Sequence, residues 1–325
     1  MARVVVTRPI NPRAAGLMEG HEVWTWPENR TMPREALLEQ IADADGALVM
    51  LTDRVDDEFL EAGRLLVVVS QMAVGVDNID LDACTRRGIP VGHTPEVLTE
   101  TTADMAWALL AAAARRIPEG RDYVLGGHWR EWDPDLLLGS DLWGTTLGIV
   151  GMGRIGAAVA RRAAGFSMRV VYNSRSPKPE VEEETGAAYV ELADLLADAD
   201  HVVITAAYTP ETHHVIDQAS LLAMKPTATL VNIARGPLVD PDALCRALRS
   251  GVIGGAALDV TEPEPIPSDH ELLSLPNCLV IPHLGSASRG TRLAMATRAV
   301  ENLLAGLAGK RVPWCANPGV YSHEK

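Results

Sequence analysis

The sequence predicts an α/β protein built as two doubly wound parallel-sheet domains, and three observations carry that prediction. Short β-branched runs alternate with amphipathic segments along most of the chain, which is the pattern of βαβ units. One run opens into a glycine-rich turn, Gly151-Met152-Gly153-Arg154-Ile155-Gly156, with an alanine-rich stretch after it. At 325 residues the chain also exceeds the size at which a single core usually stops growing.

In chain order, residues 3–6, 22–25, 47–51 and 65–70 read as strands with amphipathic stretches between them. A long helical pattern covers about 98–116 and is expected to end where Pro118 breaks it. After a Trp- and Gly-rich passage, a second alternation opens with a buried-type strand at 146–150. It continues through 168–172, 201–205, 229–232, 253–258 and 279–281. A final amphipathic helix at about 288–307 has no further strand to serve, so it is expected to pack back on the first domain. The predicted organisation is a discontinuous, flavodoxin-like substrate domain, 1–98 plus 287–325, with a Rossmann dinucleotide-binding domain, 99–286, inserted in it.

Composition narrows the function. A formal net charge of −14 repels nucleic-acid phosphates and anionic membrane surfaces, so neither is an expected partner. The longest apolar stretch, 105–114, is too short to span a bilayer. The first residues hold too short an apolar run for a secretory leader and read as a strand. Cys84, Cys245, Cys278 and Cys315 lie far apart with no CxxC pair, which argues against a zinc knuckle and for reduced thiols in a cytoplasmic protein.

The glycine turn follows a buried strand and opens a helix. Gly151 permits the tight turn, Gly153 lets the backbone approach a pyrophosphate, and Gly156 allows close helix–strand packing. The helix N-terminus, entered through Arg154 and Ile155, offers unpaired N–H groups to an anion. At the end of the next strand an NAD site carries Asp or Glu for the ribose hydroxyls. Here Asn173-Ser174-Arg175 stands instead: nothing there repels a 2′-phosphate, Arg175 can pair with it as a fork, and Ser174 can donate to it. NADP(H) is therefore the expected cofactor, with NAD(H) also admitted.

Three later strands end in Arg235, in Glu262 and Glu264, and in His283. Doubly wound sheets hold their ligands at that edge. Reducing a 2-keto acid needs an anchor for the carboxylate and a proton for the developing alkoxide, which suit a guanidinium and an imidazolium. Arg235 is the expected anchor, His283 the acid/base group and Glu264 its orienting carboxylate. Taken singly, Arg235 reads as a structural ion pair, Glu264 as a loop charge and His283 as a core histidine; convergence beside a dinucleotide turn favours catalysis.

With these residues, and with the stretches 69–80, 94–104, 232–236, 258–260 and 282–287, the chain resembles the D-isomer-specific 2-hydroxyacid dehydrogenases, and within them the glyoxylate/hydroxypyruvate reductases. The resemblance implies that Val74 and Gly75 offer backbone N–H groups to the substrate carboxylate and that Leu51 lines the pocket. It also places Thr102 and Asp259 at the nicotinamide end of the cofactor, and counts Ala207, Thr212, Ile233, His283 and Gly285 among the cofactor-binding residues. Trp132, with Trp129 and Trp143 close by as rivals, matches a residue that reaches a partner subunit's active site, and the resemblance implies a homodimer built on the 98–116 helix and the Trp-rich arm. Thr261 stands where the family pattern usually has an aromatic, which leaves Glu262 as a rival to Glu264; spacing from Asp259 and the following Pro265 favour Glu264. The same fold also serves 2-ketogluconate reductases, phosphite dehydrogenases and a dinucleotide-sensing corepressor. The phosphite enzyme is disfavoured because it uses a lysine where this chain has Gln71-Met72-Ala73.

Overall fold

The computed structural model describes residues 1–322. The described residues divide into two compact units, 1–98 with 287–322, and Thr99–Ser286. The first holds a five-stranded sheet of β1 (Arg3–Val6), β2 (Glu22–Thr25), β3 (Gly46–Val49), β4 (Val68–Gln71) and β5 (Val91–Gly92), in the order β2-β1-β3-β4-β5. Every pairing is parallel. That is the flavodoxin-like order. Central strands must be covered on both faces, and β1, β3 and β4 are accordingly almost wholly buried.

The helix Arg289–Leu307 supplies part of that cover. Gly306 lets it approach β4, where an added Cβ would meet Val68 at 2.5 Å. The Ser70 hydroxyl donates to the Ala299 carbonyl at 2.7 Å, tying strand to helix. Asn302, fully buried in the same helix, donates to the His93 carbonyl at 2.9 Å and accepts from the Trp314 N–H at 3.0 Å.

The second unit holds seven parallel strands: β6 (Thr146–Val150), β7 (Arg169–Asn173), β8 (Ala188–Tyr189), β9 (His201–Ile204), β10 (Thr229–Asn232), β11 (Gly255–Leu258) and β12 (Cys278–Val280). Their order is β12-β11-β10-β9-β6-β7-β8. Read from β6, the chain adds strands to one side and then, at β9, to the other. The reversal creates the switch point between β6 and β9 at which a Rossmann sheet binds dinucleotides. Helix Thr99–Ala114 packs on this sheet; its Trp107 stacks on Phe166 at 4.8 Å and donates its indole N–H to the Val159 carbonyl at 3.1 Å.

Strand ends shift by one to three residues from the sequence reading, as at β4 (Val68–Gln71 against 65–70) and β11 (Gly255–Leu258 against 253–258), and one helix end differs in kind. The long helix stops at Ala114 before Pro118 is reached, Arg116 takes a left-handed conformation (φ 51°), and a new helix, Ile117–Leu125, begins with Pro118 in its first turn. Proline is tolerated there because that N–H has no helical partner in any case. Among the described residues no helix is long and apolar enough to cross a membrane, and the four cysteines are unpaired.

Candidate active site

The glycine turn follows β6 directly. Gly151 has φ 99°, a conformation that strains any residue with a Cβ, and a Cβ there would strike the backbone of Ala206 just past β9. The turn therefore sits at the switch point. Gly156 is equally constrained, since its Cβ would collide with the Gly151 carbonyl and approach Thr205. Gly153 faces open space and precedes the ten-residue helix Arg154–Ala163, with no side chain capping its N-terminus. An unobstructed backbone at Gly153 and an uncapped helix start form a cradle that fits a pyrophosphate.

At the end of β7, the Asn173 amide donates to the Val190 carbonyl at 2.9 Å and the Ser174 hydroxyl donates to the Ser176 carbonyl at 2.7 Å. Arg175 is exposed, and among the described residues no carboxylate pairs with it. The Lys178 ammonium reaches the Ser176 hydroxyl at 3.2 Å. Two cations and two hydroxyls thus border the loop where an NAD site would carry a carboxylate. Past β9, the Thr212 hydroxyl accepts from the Thr209 N–H at 2.8 Å and donates to the Ala207 carbonyl at 3.1 Å, closing that loop on itself.

The ends of β10, β11 and the segment after β12 come together. Asn232, fully buried, holds the Arg235 loop from both sides: its amide donates to the Arg235 carbonyl at 2.8 Å and its oxygen accepts from the Ala234 N–H at 3.0 Å. Gly236 is packed against the Thr261 carbonyl so closely that a Cβ would not fit, which brings the Arg235 and Glu264 loops into contact. His283 Nδ1 lies 2.7 Å from Glu264 Oε1. Glu262, the rival carboxylate, instead meets His214 Nε2 at 2.8 Å. Burial pushes the Glu264 carboxyl up, but the His283 hydrogen bond and charge, with smaller help from the Thr261 backbone and the Arg235 charge, bring it below its ordinary value.

His283 has φ 52°, outside the comfortable range for its type, and Asp259 holds it there. The His283 N–H donates to the Asp259 carbonyl at 2.8 Å, the Leu284 N–H to one side-chain oxygen, and the Gly285 N–H to the other at 2.8 Å. A Cβ on Gly285 would fall 2.9 Å from Asp259 Oδ2 and 3.4 Å from the Thr102 methyl, so Thr102, Asp259 and Gly285 share one small space. Burial raises the Asp259 carboxyl above its ordinary value, partly offset by the two N–H donors. An amide offers an acceptor on one side only. Asp259→Asn is therefore expected to leave one buried N–H unpaired and to lower stability by about 1–3 kcal/mol, read as a fall in the thermal denaturation midpoint; an unchanged midpoint would remove Asp259 as the clamp on this segment.

In the other unit, Leu51 follows β3 and Val74 and Gly75 follow β4. The peptide groups of Val74 and Gly75 are fixed by side chains: His93 Nδ1 meets the Val74 carbonyl at 3.0 Å and the Gln71 amide donates to the Gly75 carbonyl at 2.5 Å. Trp132 is 82% exposed and takes no part in its own chain's core. Sequence reasoning missed Asn232, Gln71 and His93 as supports. Each acts on a backbone carbonyl or N–H, and their only sequence signal is a polar residue at or beside a buried strand end.

Comparison with known proteins identifies the family. Residues 107–285 match the D-isomer specific 2-hydroxyacid dehydrogenase, NAD binding domain. A glyoxylate reductase of Thermococcus onnurineus is 46% identical over 99% of this chain and 98% of its own, and one of Korarchaeum cryptofilum is 48% identical over 98% and 96%. The chain belongs to the D-isomer-specific 2-hydroxyacid dehydrogenases. Among solved structures, a Thermus thermophilus protein covers 97% of this dehydrogenase chain and 99% of its own, with TM-score 0.92 and 48% identity. The NADPH-dependent glyoxylate/hydroxypyruvate reductase of Sinorhizobium meliloti, solved with NADP and malonate, has TM-score 0.83 and 32% identity over 98% of both chains. The dehydrogenase thus carries a nicotinamide-dinucleotide domain of the family's kind, and the glycine turn, Arg235, Glu264 and His283 all lie within the matched range.

Proposed function

We propose that this dehydrogenase reduces a small 2-keto acid, glyoxylate or hydroxypyruvate, to the D-2-hydroxy acid, with NADPH preferred and NADH also accepted. The observation that carries the reading is the 2.7 Å contact between His283 Nδ1 and Glu264 Oε1, at the strand ends where the Arg235 loop abuts the Glu264 loop through Gly236. Glu264, held below its ordinary carboxyl range, stays anionic near neutral pH and accepts from Nδ1–H. That fixes the tautomer and aims Nε2 outward, where the imidazolium gives its proton to the substrate's carbonyl oxygen as that oxygen gains charge. Arg235 holds the substrate carboxylate with its paired N–H donors.

The residues proposed to hold the coenzyme are Gly151, Gly153, Arg154, Ile155 and Gly156 at the pyrophosphate, Thr102, Asp259 and Gly285 at the nicotinamide, Ala207, Thr212 and Ile233 between them, and Asn173, Ser174 and Arg175 at the 2′-phosphate. When bound, NADPH supplies the hydride. Leu51, Val74, Gly75 and Trp132 are proposed as substrate-side residues on the resemblance. Glyoxylate is favoured because the relatives nearly as long as this chain are glyoxylate reductases. We also propose a homodimer, on the resemblance; Leu125, Trp129, Trp132, Leu138 and Trp143, all within the Trp-rich stretch or beside it in sequence, are exposed. Four unpaired thiols fit the proposed cytoplasmic location.

The test is coenzyme oxidation followed spectrophotometrically with glyoxylate, hydroxypyruvate, pyruvate and 2-ketogluconate, using NADPH and then NADH. Turnover fastest on the first two with NADPH supports the proposal; turnover mainly on 2-ketogluconate changes the substrate, and coenzyme binding without turnover would overturn it. Arg175→Asp is expected to lower kcat/KM for NADPH roughly 10- to 150-fold, the value of a lost charged hydrogen bond of about 1.5–3 kcal/mol, with NADH little affected. Equal effects on both coenzymes would place the phosphate elsewhere.

A further inference from the structure

A second cluster of titratable side chains forms where the loop after β9 meets the loop after β11. His213 and His214 follow the short 3-10 turn Pro210–Thr212. Neighbouring side chains in extended backbone point to opposite sides, but His214 has φ 50°. That left-handed turn folds its ring back on its neighbour's: the two imidazoles stack with centroids 3.8 Å apart and planes 22° from parallel. Two flanking backbone bonds hold the conformation, His214 N–H to the Pro237 carbonyl at 2.8 Å and Ile216 N–H to the Leu238 carbonyl at 3.0 Å. Glu262 arrives from the other loop, with Oε2 2.8 Å from His214 Nε2.

An ion pair accounts for His214 and Glu262; His213 stands beside them, edge-on to Tyr208 with ring centroids 6.1 Å apart. One ligand atom from each of His213, His214 and Glu262 lies within 4.8 Å of the other two, with His213 exposed and the others half-buried. We infer that His213, His214 and Glu262 form a binding site for a divalent transition-metal ion of the zinc class. Two imidazole nitrogens and a carboxylate oxygen are a zinc donor set, bound at about 2.0–2.2 Å with further positions open to water. Mg²⁺ and Ca²⁺ prefer oxygen-only shells of about six to eight ligands, which this cluster does not offer. Ring-nitrogen lone pairs lie in the ring planes, so closing the ligands onto one ion takes rotation of the exposed His213 out of its stack on His214, and of the half-buried Glu262 side chain. The ion replaces the His214–Glu262 hydrogen bond, and any proton on the imidazoles leaves to solvent. Occupancy bears on the loops already described, because Glu262 is two residues from Glu264 and its neighbour Thr261 abuts Gly236.

The experiment reads binding directly and so stands apart from reductase activity. Zn²⁺ is titrated calorimetrically into the full, tag-free chain in excess Mg²⁺, which occupies unspecific sites on this acidic protein. Co²⁺ is added in parallel, and its visible absorption reports nitrogen and oxygen coordination. One saturable site is expected. His213→Ala removes an exposed side chain and leaves the His214–Glu262 pair in place, so the fold is retained; a circular dichroism spectrum checks this. Loss of outer-shell partners alone weakens metal sites about 10–100-fold, so loss of the His213 or Glu262 ligand (Glu262→Gln) is expected to weaken Zn²⁺ by at least tenfold. Unchanged titration in folded His213→Ala, binding that survives when both changes are combined, or displacement by Mg²⁺ would each overturn the site.

Discussion

Replacing His283 with asparagine is expected to lower kcat for keto-acid reduction by about 10²–10⁴-fold, the usual contribution of a positioned general acid, while coenzyme affinity stays near that of the parent. Asparagine is the informative choice because His283 sits at φ 52°, and asparagine tolerates the left-handed region better than alanine does. The Asp259 contacts that fix this segment use backbone N–H groups of His283, Leu284 and Gly285, all of which the variant keeps. A large fall in kcat with an unchanged denaturation midpoint would then belong to the imidazole itself. Activity within a few-fold of the parent would remove His283 as the proton donor. Glu264→Gln is expected to cost less, since a neutral amide oxygen can still accept from Nδ1–H. The sign of its pH dependence follows from the lowered Glu264 carboxyl: the pairing contributes above the carboxyl's unfolded value and is lost as pH falls through the still lower folded one.

The parts of this arrangement that were legible in the sequence are those set by short-range pattern. A buried run ending in Gly151-Met152-Gly153 announces both strand and turn, because a side chain at Gly151 or Gly156 would collide with backbone wherever that turn forms. Strands of four or five apolar residues could be read; β5 and β8, of two residues each, could not, because so short a run carries no period. The sequence pattern marks Pro118 as an end of helix, whereas it begins another, since proline punctuates equally well in either sense. Glu264 and Glu262 were distinguishable only by spacing. What separates them in space is that one meets His283 and the other His214, 48 residues away. A pairing at that range depends on where two loops end over the sheet, and no local pattern records it. Asn232 is the same case: its role becomes visible only when both partners in the Arg235 loop are in place.

Arg235→Ala is expected to reduce kcat/KM for glyoxylate by roughly 30- to 5,000-fold, corresponding to the loss of about 2–5 kcal/mol when one partner of a hydrogen-bonded charge pair is removed. The Arg235 guanidinium donates to the Ala234 carbonyl at 2.8 Å, and the variant loses that bond, but other contacts hold the loop. Asn232 holds the backbone at Ala234 and Arg235, and Gly236 is packed against Thr261, so the variant is expected to fold and to bind coenzyme normally. Two further readouts separate an anchor from a merely structural cation. Inhibition by oxalate, an unreactive dicarboxylate, should weaken in parallel with kcat/KM, and added guanidinium ion should restore part of the lost rate by occupying the vacated space. Arg235→Lys should fall between parent and alanine, because an ammonium keeps the charge but not the paired N–H donors that match a carboxylate. A variant that loses oxalate affinity but keeps its turnover would make Arg235 a binding group only. If oxalate inhibits Arg235→Ala and the parent alike, the carboxylate is held by other donors and the orientation proposed for the keto acid over His283 is wrong.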